Sequence, residues 1–215
     1  MRLGIRLLFA FFLINGIAAF FVLRVFTAEI KPSVREVMED MMVDTANLLA
    51  ELASDDLAAG RLAQGDADSA FARHVRNYVR RPIDAGIWGF AKQSLDYRIY
   101  VTDATGRVLF DSQGQAVGQD FSQWRDVART LRGEYGARMT REVPSDDTSG
   151  VMHVAAPVLV QGRILGVLTV AKPVRTVQRF IDRAERKVLM GGLVLLLLSA
   201  AVGVAVTLWM VWNVR

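Results

Sequence analysis

The sequence has 215 residues, enough for one domain of ordinary size plus membrane segments, and 52% of it is apolar, which is high for a soluble protein. Arg2, Arg6, Arg24 and Arg215 lie at or within the apolar ends, so the stretch from Thr27 to Lys187 carries 22 acidic and 22 basic residues and offers no general electrostatic case for nucleic acid. Cysteine is absent, which excludes a disulfide framework and a thiolate metal site.

Leu7 to Leu23 is an uncharged run of 17 residues, just long enough to cross a bilayer as a helix, with Arg24 placed to reach the interface. The run is longer than a usual signal-peptide core and no small-x-small cleavage site precedes a domain start, so a retained span over residues 7–26 is expected rather than a signal peptide. Asn15, beside Gly16, sits near mid-bilayer, where it is either a tolerated polar residue or a bond to a partner helix.

Glu29 to Ala53 reads as a helix, with Pro32 in its first turns. Its stripe Ile30, Val34, Val37, Met41, Thr45, Leu48 and Leu52 has helical spacing and is assigned to packing on a sheet, with dimerisation as a second use. Ser54, Asp55 and Asp56 form a polar break, and Gly60 and Gly65 lie in a loop. A second helix over Asp66–Arg80 turns Phe71, Val75 and Tyr78 inward. Its other face carries Arg73, Arg76 and Arg80, with Arg81 following, and is either simply solvated or a contact for anions or lipid head groups. Pro82 ends it. Ile83 to Gln93 is irregular around Trp88 and is a candidate pocket lining.

Leu95 to Thr102 is the first strand, with Tyr97, Ile99 and Val101 on one face and Arg98, Tyr100 and Thr102 on the other. Asp103 to Gly106 is a turn between two β-rich runs. Asp120 or Ser122 is expected to cap a helix bearing Phe121, Trp124, Val127 and Leu131, with Gly133 at its C-terminal end. Strands follow at about Glu134–Glu142, Val151–Val160 and Ile164–Ala171. The predicted fold is α+β: a five-stranded antiparallel sheet with N-terminal helices and with helices grouped on one side. The order strand, strand, helix, three strands resembles the PAS-like fold of extracytoplasmic single-Cache sensor domains.

After Pro173, Val174, Val177, Ile181, Ala184 and Val188 repeat at spacings of three and four, a short heptad seam. It continues into a second apolar run over residues 188–214, long enough to span with tilt. Ser199, Gly203, Ala201 and Ala205 allow close helix approach, and Trp209 and Trp212 suit an interfacial belt. Arg2 and Arg6 favour an inside N-terminus. Arg179, Arg183, Arg186 and Lys187 argue the other way, but the rule acts weakly across so long a connection.

No catalytic constellation is present: His74 and His153 are isolated, and there is no metal-ligand spacing, Gly-rich phosphate loop or Ser nucleophile motif. Asp103 and Asp111 are read as turn residues. Arg98, Tyr100, Tyr135, Arg138 and His153 are candidates to converge over one sheet face, closed by the helix of Trp124 or the loop of Trp88. Such a site suits a small anionic ligand, since Arg pairs with a carboxylate through two hydrogen bonds.

The stretches MRLGIRLL, TANLLAELA, VTDATGRVLFDS, VGQDFSQWRDV, LRGEYGAR, VAAPV and GVLTVAKP give the chain a close resemblance to the N-terminal sensory half of carbon-source-responsive two-component sensor histidine kinases of the CreC type. The resemblance implies a bacterial inner-membrane protein with residues 1–6 in the cytoplasm. It further implies transmembrane helices at 7–26 and 188–214, a periplasmic Cache-like domain at 27–187, membrane lipid around it and a homodimer. It also implies a kinase core that uses ATP and Mg and acts on a response regulator. The sequence given stops at Arg215, ahead of any linker, phospho-accepting His or ATP-binding motif, so by itself it is expected to hold no cofactor and catalyse nothing; it is either a fragment or a naturally short relative. Two other classes remain: the input of a chemoreceptor or cyclic-dinucleotide enzyme, and a stand-alone membrane-anchored binding protein.

Overall fold

In the computed structural model, which describes residues 2–25, 31–63, 69–87, 89–141, 143–146 and 149–213, an antiparallel sheet of five strands runs in the order β4-β3-β7-β6-β5. These are β3 (Arg98–Asp103), β4 (Val108–Asp111), β5 (Gly136–Arg141), β6 (Gly150–Val160) and β7 (Arg163–Pro173). The two longest strands, β6 and β7, are nearly continuous apolar runs, the pattern of strands covered on both faces. They join through Gln161 and Gly162, both at positive φ, a two-residue turn whose twist matches that of the strands it connects.

Strand β3 alternates as the sequence predicts, and a register shift between Val101 and Thr102 then does something alternation alone does not. Val108 pairs with Thr102 and Phe110 with Val101, so two residues of β4 only two apart face opposite sides of the sheet. Val108 joins a core with Tyr100, Phe121, Val127, Ala155 and Val167. Phe110 meets Phe71 edge-to-face with ring centroids 5.9 Å apart.

Helices therefore cover both faces, not one. On the first lie α2 (Lys31–Ala58) and α3 (Ala70–Arg80); on the second lies the short α4 (Arg125–Leu131) with the loop before it. The close approaches are made by glycine. A Cβ on Gly166 would collide with the Thr102 carbonyl and Leu57, and one on Gly136 with the Asp126 carbonyl and Thr130.

Helix α2 departs from the sequence reading twice. It does not break at Ser54 to Asp56 but continues to Ala58. The Asp56 carboxylate accepts from Ser69 Oγ at 2.6 Å, the Phe71 amide at 2.8 Å and Arg61 Nε at 2.7 Å, which ties the end of α2 to the start of α3. Ser69 in turn caps α3 by accepting from the Ala72 amide at 3.0 Å; residues 66–68 of the expected helix lie outside the described residues. The second departure is rotational. The sheet-facing stripe is Met38, Met42, Ala46, Ala50, Ala53 and Leu57, while Val37, Met41, Leu48 and Leu52, assigned by spacing to the sheet, are 55–64% exposed. Both stripes have helical spacing, and the small alanines are the ones that let α2 lie close to the strands.

Two smaller differences follow. The segment expected to be irregular contains a hairpin, β1 (Ala85–Ile87) with β2 (Phe90–Lys92), and Trp88 lies outside the described residues. Helix α4 begins after Trp124 without a side-chain cap: Asp120 accepts from the Ser122 amide at 2.8 Å in a turn upstream, so neither Asp120 nor Ser122 caps it.

The chain divides into two compact units, Val37–Thr176 and the two ends, Met1–Glu36 with Val177–Arg215. The unit of the ends holds α1 (Arg2–Val25) and most of α5 (Arg175–Asn213). Asn15 spends its amide on the Phe11 carbonyl at 2.8 Å and accepts from Ser199 Oγ at 3.0 Å. One turn on, Gly203 leaves room for Phe11, so the small residues of α5 meet α1 of the same chain. Among the described residues, α5 is long and apolar enough to cross a membrane, and Phe9–Val25 is an apolar stretch of lesser length.

Candidate functional site

The second sheet face gathers four of the six candidate ligand residues, and it does so around an acid that sequence reasoning passed over. Asp126, on α4, is fully buried. Its carboxylate accepts from the Tyr100 hydroxyl, from Thr169 Oγ1 at 3.3 Å and from Arg138 Nε at 2.6 Å. Arg138 donates a further hydrogen bond from Nη2 to His153 Nδ1 at 3.2 Å. A guanidinium can only donate, so Nδ1 is the acceptor, the neutral imidazole carries its proton on Nε2, and Nε2 donates to Thr140 Oγ1 at 3.0 Å. Trp124 completes the group: its ring lies 4.1 Å from the Arg138 guanidinium carbon and stacks on Phe121 at 3.4 Å.

The electrostatics follow from burial and charge. Burial, then the negative Asp126, push the Tyr100 hydroxyl far above its usual range, so it stays a donor. Burial, then the positive Arg138, lower His153 to about 4. The network joins the Asp126 carboxylate and the Arg138 guanidinium to neutral donors and acceptors.

The other two candidates stand apart. Arg98 is bound to Asp111 through Nε to Oδ1 at 3.0 Å and Nη2 to Oδ2 at 2.8 Å. Asp111 is no mere turn residue: its side chain is buried and also accepts from the amides of Gln113, Gln115 and Ala116. Burial alone would raise its carboxyl, but Arg98 and those amides hold it below the ordinary range. Tyr135 is half exposed and donates to Glu39 of α2 at 2.5 Å, away from the Asp126 network. Asp103, by contrast, is the turn residue expected, accepting from the Thr105 and Arg107 amides.

A cavity of about 600 Å³ opens on the opposite face, between α2, α3 and β3, lined by Leu49, Leu52, Phe71, Val75, Tyr78 and Ile99 among others. Among the described residues, no group of three or more His, Asp or Glu is placed to hold a metal. The four seam residues lie on α5, Ile181 already buried within the chain and Val177, Ala184 and Val188 half-buried.

Asp126 had one signal available. Arg138 is expected on a sheet face closed by the helix of Trp124, a covered arginine there needs an acid nearby, and Asp126 lies on that helix. The partners Thr140 and Thr169 had none, since a hydroxyl in a strand is ordinary.

The five-stranded antiparallel sheet with its N-terminal helices is the α+β arrangement expected from the sequence. The chain is similar to the sensor protein CreC of Escherichia coli strain K12, with 46% identity over 209 residues, 97% of this chain and 43% of that protein, so it spans less than half the length of this curated relative. Among solved structures it is similar to the sensor domain of the histidine kinase DctB of V. cholerae, with TM-score 0.47 and 17% identity over 73% of this chain and 55% of that one. It is also similar to the DcuS sensor domain of E. coli, with TM-score 0.43 and 19% identity over 68% of this chain and 98% of that one. No family model matches.

Proposed function

We propose that this chain is the signal-input part of a two-component sensor histidine kinase held in the inner membrane, with the sheet domain in the periplasm. The supporting observation is identity of 46% spread over 97% of the chain to a sensor protein more than twice its length. In this reading α1 and the apolar part of α5 are the two spans, over 7–26 and 188–214. The remainder of the whole protein supplies the kinase core with its ATP and Mg, and a response regulator receives the phosphoryl group. The test is a chimera in which residues 1–215 replace the matching segment of E. coli CreC in cells lacking that protein. Phosphorylation of the cognate regulator is expected; a membrane-inserted, stable but inert chimera refutes the reading. An alkaline-phosphatase fusion near Gly114 should be active, and an inactive one overturns the placement outside.

The ligand side of the proposal centres on Arg138, with Trp124, Tyr100 and His153 against it. A small anionic ligand reaching that guanidinium competes with the Asp126 carboxylate, so binding would loosen α4 from the sheet. Arg98 and Tyr135, engaged by Asp111 and Glu39, take part only if those contacts open. The signal then leaves through α5, which starts two residues after β7 ends. In a homodimer the seam Val177, Ile181, Ala184 and Val188 carries it. Cysteines at Val177 and Ala184 should cross-link between chains in membranes and one at Arg179 should not; equal cross-linking all round removes the seam.

A further inference from the structure

The cavity on the first sheet face has a floor and walls of its own. Helices α2 and α3 are held together at one end by Asp56, through Ser69, the Phe71 amide and Arg61. The alanines of α2 draw it down onto the strands, while α3 turns in Phe71, Ala72 and Val75. Between the two helices remains a space of about 600 Å³, floored by Ile99 of β3 and walled by Leu49, Phe71 and Val75. Protein cores leave few voids larger than a water molecule, so a space of this size is not a packing defect. It falls within the range of about 300–1,000 Å³ that small-molecule sites occupy. It lies across the sheet from the Asp126 network, which makes no use of it.

The polar groups of its lining fall into two sets. One set is spent. Thr45 Oγ1 donates to the Met41 carbonyl at 2.7 Å. The Asp56 carboxylate is engaged by its three donors, and Arg61 pairs with it at 2.6 Å and donates to the Asp55 carbonyl at 3.2 Å. The other set is open. His74, Tyr78 and Tyr97 line the cavity, and among the described residues none of their side chains makes a hydrogen bond. His74 and Tyr78 stand four apart on α3 and so share a face. Tyr97 stands two positions before Ile99 and on the same side. Lys172 Nζ lies 4.7 Å from the centre of the Tyr97 ring and leaves its hydroxyl unengaged. Burial, then Tyr97 and Asp96, push the Tyr78 hydroxyl up to about 12, so it keeps its proton and is a donor.

We propose that this cavity binds an uncharged, largely apolar molecule with a hydroxyl or carbonyl group at one end, for which a naphthol is the model. The walls supply hydrocarbon contact along most of the molecule, and Tyr78, Tyr97 and His74 meet its polar end. Charge decides against the other classes. An anion entering here would lose its water and find only Arg61, already matched by the buried Asp56 carboxylate. A cation would find Asp56 in the same condition, and Asp55 exposed at the mouth, where water and salt screen it. Burying either ion without a counter-charge is costly. A neutral hydroxyl needs only hydrogen bonds, which the open phenols and imidazole offer. A plain hydrocarbon would fill the walls but leave Tyr78 without water or any partner. The two faces of the sheet then answer to different chemistry, an anion at Arg138 and a neutral molecule between α2 and α3. The site stands whether or not the chain feeds a kinase, since binding is read directly.

Three probes share one ring system: 2-naphthol, naphthalene and 2-naphthoate. Equilibrium dialysis against the full chain in nanodiscs, with empty nanodiscs subtracted for partition into lipid, gives each dissociation constant. 2-Naphthol should bind saturably, naphthalene about tenfold more weakly for want of the hydrogen bond, and 2-naphthoate not at all. Tyr78→Phe should weaken 2-naphthol by about 3–10-fold and leave naphthalene unchanged, which a general loosening of the fold would not do. Leu49→Trp, filling the space from α2, should abolish binding of both, with circular dichroism and melting point near native. Where that chain fails to fold, Tyr78→Phe decides alone. The proposal fails if 2-naphthol shows no saturable binding above empty nanodiscs, the result expected if protein or lipid already fills the cavity. It fails if 2-naphthoate binds as tightly as 2-naphthol, which would make this an anion site. It fails equally if folded Leu49→Trp, or Tyr78→Phe, leaves 2-naphthol binding unchanged, which would place the molecule elsewhere.

Discussion

Replacing Asp126 by alanine is the most informative single change in the sheet domain. It removes the carboxylate that pairs with Arg138, whose side chain is 17% exposed, and takes from Tyr100 and Thr169 the acceptor they share. Breaking a buried pair by deleting one partner costs about 3–5 kcal/mol, because the other charge is left unmatched in a poorly polarisable surrounding. For a domain of this size each kcal/mol moves the midpoint by about 2–4 °C, so a fall on the order of 10 °C is expected. Asp126→Asn keeps an acceptor for Tyr100 but not the charge, and should fall between alanine and the native chain. The double variant Asp126→Ala with Arg138→Met should be more stable than Asp126→Ala alone, since the stranded cation has gone. Thermal unfolding of the full chain in nanodiscs, followed by circular dichroism, supplies all four corners of the cycle. A loss below about 1 kcal/mol for Asp126→Ala, or additivity of the two changes, would refute the argument. Glu134, whose ion pairs with Arg129 and Arg132 are solvent-exposed, is the contrasting case, and its removal should leave the midpoint unchanged.

Acid should destabilise the domain in a definite window. His153 stays neutral in the folded state down to about 4, whereas an unfolded imidazole takes up its proton near 6.5, so between those values the unfolded chain binds more protons. The contribution is complete above about 6.5 and is lost as pH falls toward 4, to a total on the order of 3 kcal/mol; His153→Gln should flatten that part of the curve, and parallel curves would refute the assignment. The carboxyls of Asp56 and Asp111 are also lowered, against burial, by their hydrogen-bonding partners, so their contribution holds above the ordinary carboxylate range and goes only at still lower pH. Gly166→Ala should cost about 1–3 kcal/mol or prevent folding, since the new methyl meets backbone on β3 that cannot yield, while Gly118→Ala, with open space around it, should lose only what its positive φ imposes. A native-like melting point for Gly166→Ala would show that β7 does not approach the Thr102 carbonyl of β3 so closely.

The parts of the fold that sequence revealed are those where one period has one explanation. Strands β3, β6 and β7 alternate or run apolar between turn residues, and each was placed to within a few residues. Helix α2 shows the limit: two stripes with equal helical spacing compete, and hydrophobicity favours the one with the larger side chains, Val37, Met41, Leu48 and Leu52. The protein buries the other because alanines permit close packing on strands. At the site, Arg138, His153, Tyr100 and Trp124, expected over one sheet face, come together in the structure. Tyr135 was not separable from them, since it falls just before β5 begins and parity no longer governs it. The bonds of Arg98 to Asp111 and of Arg138 to Asp126 are contacts over 12 or 13 positions in sequence, and neither acid differs in type from a turn or helix-surface aspartate.

Strand β7 is hydrogen-bonded on both sides, to β3 from Arg98↔Ala171 to Asp103↔Gly166 and to β6 over nearly its full length. Its central amides, from Val167 to Val170, are wholly buried. They should exchange with deuterium last of all in the domain, near the limit set by complete unfolding, while β5, an edge strand with half-exposed side chains, exchanges earlier. The strand from which α5 departs is therefore the one least able to detach. In the proposed reading, a rearrangement on the Asp126 side would not reach α5 by peeling β7 away residue by residue; it would have to tilt or slide the strand together with its neighbours, so the message would be a rigid displacement and not a local melting.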